Sequence, residues 1–228
     1  RASSFPVGYV DRIYMNSLDF EEFLWARGIS EDAISYIKEF YDTKKMVSSS
    51  SHDRMLELFR EYIVLGGMPD VINDFLLSNN FDSAIKVQKR ILNDYRDDIV
   101  KYASTNDRAK IRACFDSIPA QLAKDNKKFK FSIVERNSKS EKYLDSLEWL
   151  YDAGIINFCY NLRNPEAPLE GNKIIDSFKV YMKDTGLLMA MMDEGSQLEI
   201  MNGNLGIYKG AIYENIIADV FNKSGKKL

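Results

Sequence analysis

The stretch SKSEKYLDSLEWLYDAGIINFCYNL, residues 138–162, answered by SFKVYMK at residues 177–183, decides the fold. Its first half carries a helical period and its second half a strand period. Ser138 and Glu141 have the spacing of a capping box, in which the serine oxygen accepts from a first-turn N–H while the glutamate reaches back to the serine's own N–H. The helix that starts there is expected to bury Tyr143, Leu144, Leu147, Leu150 and Tyr151 and to stop at Gly154. Ile155 to Leu162 then runs as a strand into a proline-containing loop that ends at Gly171. Phe178, Val180 and Met182 alternate with Lys179, Tyr181 and Lys183, a period of two that marks the returning strand of a hairpin. Upstream, Ile111, Cys114, Phe115 and Ile118 form one helical stripe, and Phe131 to Val134 a short second element. Three helices followed by a hairpin predict a winged helix-turn-helix with a β-wing over residues 106–193.

Working outward, the first 105 residues read as nearly all helix. Val7 to Met15 is β-compatible and leads into a short acidic helix, Asp19 to Ala26, which Gly28 can end by adopting positive φ. Ser30 caps a second helix. From Ser51 the residues Met55, Leu58, Phe59, Tyr62 and Ile63 recur on one helix face. Gly66-Gly67-Met68-Pro69 interrupts that pattern as a turn, since two glycines and a proline continue a helix only at a cost. From about Asn80 a longer helix carries the stripe Ile85, Leu92, Tyr95, Ile99 and Tyr102, leaving Lys86, Lys89, Arg90, Asp94 and Asp98 to solvent. Beyond residue 193 the terminal segment is helical again. The fold class is therefore mainly α with a small β component.

Charge and composition narrow the function classes. The 31 basic and 34 acidic residues give a formal net charge of -3, so no global field draws the chain to nucleic acid or an anionic membrane. Any such contact has to be local. The longest apolar run, Leu187 to Met192, is far below the ~20 residues that cross a bilayer, so no membrane partner is expected. Cys114 and Cys159 have no second Cys or His at metal-ligand spacing and read as reduced, buried thiols. His52 has neither a base partner nor metal company and reads as structural. Asn222-Lys223-Ser224 fits a glycosylation sequon by chance, because a cytoplasmic location is expected. Arg1 to Gly8 has neither an initiator methionine nor a leader pattern and reads as a cut; Lys223 to Leu228 reads as a truncation.

Five landmarks in sequence resemble one family. Ser4-Phe5-Pro6-Val7-Gly8 with Leu18-Asp19-Phe20-Glu21-Glu22-Phe23-Leu24 resembles the segment that closes the ATPase core of bacterial and archaeal AAA-type P-loop ATPases with a C-terminal domain of unknown function. Gly66-Gly67-Met68-Pro69 resembles the next landmark, and Leu92-Asn93-Asp94-Tyr95-Arg96-Asp97-Asp98-Ile99 the helix leading into that C-terminal domain. Tyr181-Met182-Lys183-Asp184-Thr185-Gly186-Leu187-Leu188 resembles its Asp-Thr-Gly-Leu signature, and Gly210-Ala211-Ile212-Tyr213-Glu214-Asn215 its terminal helix. The resemblance implies three regions: residues 1–105 as the end of the ATPase domain plus a helical lid or linker, 106–193 as the winged helix, and 194–228 as the start of a truncated nuclease-like segment. It also implies ATP and magnesium for the full-length protein, an ATPase, but no cofactor for these residues. A Gly-rich turn with Lys and Ser/Thr, needed to grip phosphates and magnesium together, does not occur here. Glu214 is the one nuclease-like acid, and one carboxylate cannot hold a catalytic cation. Catalytic residues and metal ligands are thus not expected.

Two uses remain for such a region. It can couple nucleotide state to contact with a protein partner or with the remainder of its own ATPase domain, with Gly66 and Gly67 as hinge candidates. Alternatively, the winged helix recruits the ATPase to duplex DNA. From Lys124 to Lys142 seven basic residues stand against three acids. In a winged helix the start of the third helix meets the major groove, which makes Arg136, Lys139, Ser140 and Lys142 nucleic-acid contact candidates, with Asn161 and Arg163 on the wing. The exposed side of the same helix also carries Asp145, Glu148 and Asp152, which repel phosphate. Asp184 or Thr185 is expected to cap the helix near Gly186.

Overall fold

The computed structural model describes residues 11, 13–136, 142–193, 195–204 and 209–226. Helix α1 (Phe20–Ala26) opens on a capping box in which Asp19 accepts from Glu22 N–H and Glu22 from Asp19 N–H, and Gly28 closes it at φ +77°. Ser30 caps α2 (Glu31–Asp42), and Ser48 caps α3 (Ser49–Leu65). Pro69 does more than break the chain after α3. Its fixed φ and missing N–H suit a first helical position, and it starts α4 (Pro69–Ser78), a helix the turn reading does not anticipate. Asn80 then caps α5 (Phe81–Tyr102) as expected. The buried stripe of α5 is Ala84, Gln88, Leu92 and Ile99, whereas Tyr102 at its last turn is 64% exposed. Residues 13–15, the described end of the β-compatible Val7 to Met15 stretch, form no strand.

The expected order of helices and hairpin follows. It comprises α6 (Arg108–Leu122), the single turn α7 (Phe131–Val134), α8 (Leu144–Asp152), β1 (Ile156–Leu162), the turn α9 (Leu169–Asn172) and β2 (Lys173–Met182). The strands are antiparallel, with Ile156 opposite Met182 and Phe158 opposite Val180, and the register shifts between Tyr160 and Asn161. Phe129 N–H adds a bond of 2.9 Å to the Phe178 carbonyl from the far side of β2. The capping box of Ser138 and Glu141 lies outside the described residues. In α8, Tyr143, Leu147 and Leu150 are buried as expected, but Ser146 is buried and Tyr151 is 49% exposed.

Two short helices, α10 (Thr185–Ala190) and α11 (Ser196–Met201), and the longer α12 (Lys209–Lys223) follow among the described residues. Helix α12 packs on the hairpin and α10 packs on α3. That arrangement buries Tyr181 along with Phe178, Val180 and Met182, so β2 is covered on both faces. One core runs through α3, α5, α6, α8, both strands, α10 and α12, and therefore across residue 105. Among the described residues no helix is long and apolar enough to cross a membrane.

Glycines set the closest approaches in this core. At Gly67 an added Cβ would stand 2.8 Å from the Leu18 nitrogen, and at Gly66, where φ is +72°, it would stand 2.8 Å from the Asp184 carboxyl carbon. Backbone and a buried carboxyl cannot yield at such distances. We expect Gly67→Ala to lower stability by about 1–3 kcal/mol or more in denaturant titrations, an overpacking penalty. An exposed control with no neighbour at its Cβ, Gly195, sits at φ +93° and is expected to lose only its backbone preference on the same change.

Candidate functional site

The landmarks that lie far apart in sequence meet in space. Asp184 caps α10, accepting from Leu187 N–H at 3.0 Å, while its other oxygen accepts from Gly67 N–H at 2.7 Å. A buried carboxylate needs donors in place of water, and charge-assisted bonds to backbone amides are the strong kind. Asn215, fully buried on α12, secures the next residues. Its Oδ1 accepts from Met182 N–H at 2.8 Å, and its Nδ2 donates to the Met182 carbonyl at 3.2 Å and to Thr185 Oγ1 at 3.0 Å. Gln88, also fully buried, donates from α5 to the Val64 and Leu65 carbonyls at the end of α3. Gly66-Gly67, Asp184-Thr185 and Asn215 therefore form one polar junction inside an apolar core.

A second group ties the entering chain to the last helix. Leu18 N–H donates to the Gly67 carbonyl at 2.8 Å, and the Leu18 carbonyl accepts from Tyr62 OH and from Lys223 Nζ, each at 2.9 Å. Lys223 also pairs with Asp219 at 2.8 Å, and both side chains are almost wholly buried. Burial pushes the Asp219 carboxyl up to about 7; the Lys223 ammonium offsets part of this, and the Asp184 and Asp19 carboxylates add to it. The same burial, with Asp219 nearby, raises the Tyr62 hydroxyl.

Glu214 stands on the outer side of this junction. It accepts from Lys179 Nζ and Tyr181 OH, each at 2.8 Å, and faces Lys127 Nζ at 3.4 Å. Burial pushes its carboxyl upward, but the hydrogen bonds from Lys179 and Tyr181 and the charge of Lys127 outweigh burial, leaving it below the usual range. Its neighbours are donors, and among the described residues no group of three His, Cys, Asp or Glu side chains could hold a metal ion.

The nucleic-acid candidates fall into two places. Arg136 is exposed after α7, while Lys142, just before α8, pairs with Glu135 and lies over the Tyr143 ring at 5.3 Å. Lys139 and Ser140 lie outside the described residues. Asn161 and Arg163 are exposed at the loop end of the hairpin, where Arg163 N–H donates to the Asn172 carbonyl at 2.8 Å. Asp145, Glu148 and Asp152 are exposed along α8. Gly66 and Gly67, the hinge candidates, sit within the polar junction. In the sequence, Gln88 and Asp219 have no assigned role, Asn215 enters only within the terminal-helix landmark, and Lys223 only within the sequon and the terminal run. A glutamine inside an apolar stripe and an i,i+4 Asp–Lys pair on an apolar helix were the available signals.

Replacing Asp184 by Asn keeps the shape but removes the charge that two amides share, and is expected to cost about 1.5–3 kcal/mol in denaturant titrations. Asp219 gives a pH test. Its folded-state pKa of about 7 lies above its ordinary value, so folding takes up a proton between the two. Its contribution to stability is full below the ordinary carboxylate value and is lost as pH rises through about 7. The midpoint of thermal unfolding should fall across that interval in the wild type, and Asp219→Asn should flatten the slope.

No curated protein and no solved structure matches the chain. A family profile described as a domain of unknown function, DUF8612, matches residues 56–198, from within α3 into α11. That span contains the Gly67–Asp184 contact and the hairpin, though not Asn215. Because it takes in more than half of the 228 residues, the chain belongs to the DUF8612 family.

Proposed function

We propose that these residues are the accessory region, helical lid plus winged helix, of an AAA-type P-loop ATPase, coupling the state of bound nucleotide to contact with a protein partner and catalysing nothing alone. The observation that carries this reading is the 2.7 Å bond from Gly67 N–H to Asp184. It fastens the turn between α3 and α4 to the start of α10, directly after the hairpin. A displacement imposed on the first helices is thereby delivered to the unit of α6–α8 and the hairpin through a contact with few soft degrees of freedom. On this reading Gly66 and Gly67 act as a hinge only when the Gly67 amide leaves Asp184. Glu214, held between cations, positions α12 against β2. ATP and magnesium would belong to the parent ATPase.

Duplex DNA binding by the winged helix is the second reading. It is favoured by Lys124, Lys128, Lys130 and Arg136, which make no ion pair with a described residue. Two facts weigh against it: Lys142 is already paired with Glu135, and α8 turns three carboxylates to solvent.

Titrating ATP into these 228 residues, beside a longer chain that supplies a P-loop segment, tests the first reading. We expect saturable binding only in the longer chain, and binding by the 228 residues alone would overturn it. For the second, duplex binding should be weak and should steepen as salt falls. Reversing Lys139 and Lys142 to Glu should abolish what binding exists without altering the circular dichroism spectrum, and unchanged binding would remove those two lysines from the interface.

A further inference from the structure

Two adjoining cavities of about 660 and 820 Å³ share Tyr14, Asn16, Tyr151, Asp152 and Lys183 and form one groove between residues 13–17, the end of α8 and the hairpin. Groups in its lining lack acceptors. Lys183, half-buried, has no carboxylate within ion-pair distance among the described residues; its Nζ lies over the Tyr151 ring, 5.7 Å from the centroid. Burial lowers its ammonium pKa, and the distant Asp219 offsets little of that. Gly154, at φ +75°, lies beside it, and a Cβ there would stand at ordinary contact distance, 3.9 Å from Nζ. Asn157 is 3% exposed, and its Nδ2 has no hydrogen-bond partner. Ser17 Oγ, on the other wall, is also without one. Orphan buried donors are rare in native structures, and an ammonium half out of water needs a counter-charge. Lys223 nearby shows the contrast, because Asp219 supplies its counter-charge.

We propose that this groove binds a small molecule carrying a single oxyanion, phosphate or carboxylate, on a planar body, with the oxyanion on Lys183 and a further acceptor on Asn157. The acceptors already present cannot do this. Asp184 is occupied by the Gly67 and Leu187 amides, and Glu148 and Asp152 are exposed at the mouth. Those two carboxylates also disfavour a long polyanion, which sets the ligand apart from a nucleic-acid chain. Tyr151, Phe158 and Tyr160 supply ring faces for the planar part, and the groove volume lies in the range of small-molecule sites. The site is independent of the ATPase-accessory reading, which uses none of these side chains.

Calorimetric titration with phenyl phosphate and with benzoate, on the wild type, Lys183→Met and Lys183→Arg, tests the proposal. We expect saturable binding of at least one probe, a loss of about tenfold or more in Lys183→Met, and retention in Lys183→Arg. The tighter probe identifies the oxyanion. NMR of the lysine ammonium groups should place the largest change at Lys183. Absence of saturation by either probe at millimolar concentration would overturn the site, independently of how the variants fold. So would equal changes at the exposed Lys38 and Lys142, or undiminished binding in a folded Lys183→Met.

Discussion

The Asp184 carboxylate, out of reach of water, is shared between the amide of Gly67 and the amide of Leu187. Each bond alone is ordinary. Together they require three backbone segments to come closer than side chains normally allow, which is why Gly66, Gly67 and Gly186 occupy that contact. The carboxylate replaces lost hydration with oriented dipoles, and the glycines make the orientation possible. Were either part altered, the other would have no reason to remain in place. Asn215 extends the same logic to β2 and α10, satisfying both backbone groups of Met182 where the strand ends.

Charge is handled in three ways around that centre. The Asp184 carboxylate is met by two backbone amides, Glu214 by two lysines and a tyrosine, and Asp219 by a single lysine. Of the three, Asp219 is left with an acceptor unmet, its Oδ1, and burial displaces it toward neutrality. Burial with one partner is therefore insufficient here to hold a carboxylate at its ordinary value, in keeping with the desolvation cost of buried pairs.

Much of the architecture was legible in the residues. The alternation at Phe178, Val180 and Met182 located β2, the acidic run from Asp19 with its Gly28 stop and the Ser30 cap located α1 and α2, and Gly154 ended α8, because periods and caps are local properties of the chain. Helix α4 was not legible, since Pro69 was weighed as an interruption when its first-turn geometry made it a start. The helical stripes put Tyr151 and Tyr102 inside, yet both stand at the last turns of their helices and are exposed. The junction itself was only half visible. Asp184 was recognisable as a cap, but its second bond is made to a residue 117 positions away, and no local signal encodes that distance.

The bond from Lys223 to the Leu18 carbonyl joins residues separated by 205 positions. Contacts of such span form late, because the entropy of closing the loop is lost before the contact gives anything back. During synthesis the segment around Leu18 therefore waits for α12: until that helix has emerged, the Leu18 carbonyl lacks its ammonium and β2 lacks a cover for Tyr181. A nascent chain halted just before α12 would leave the apolar core uncovered where Ala211, Ile212 and Ile216 pack, which makes this the stage most exposed to association with other chains.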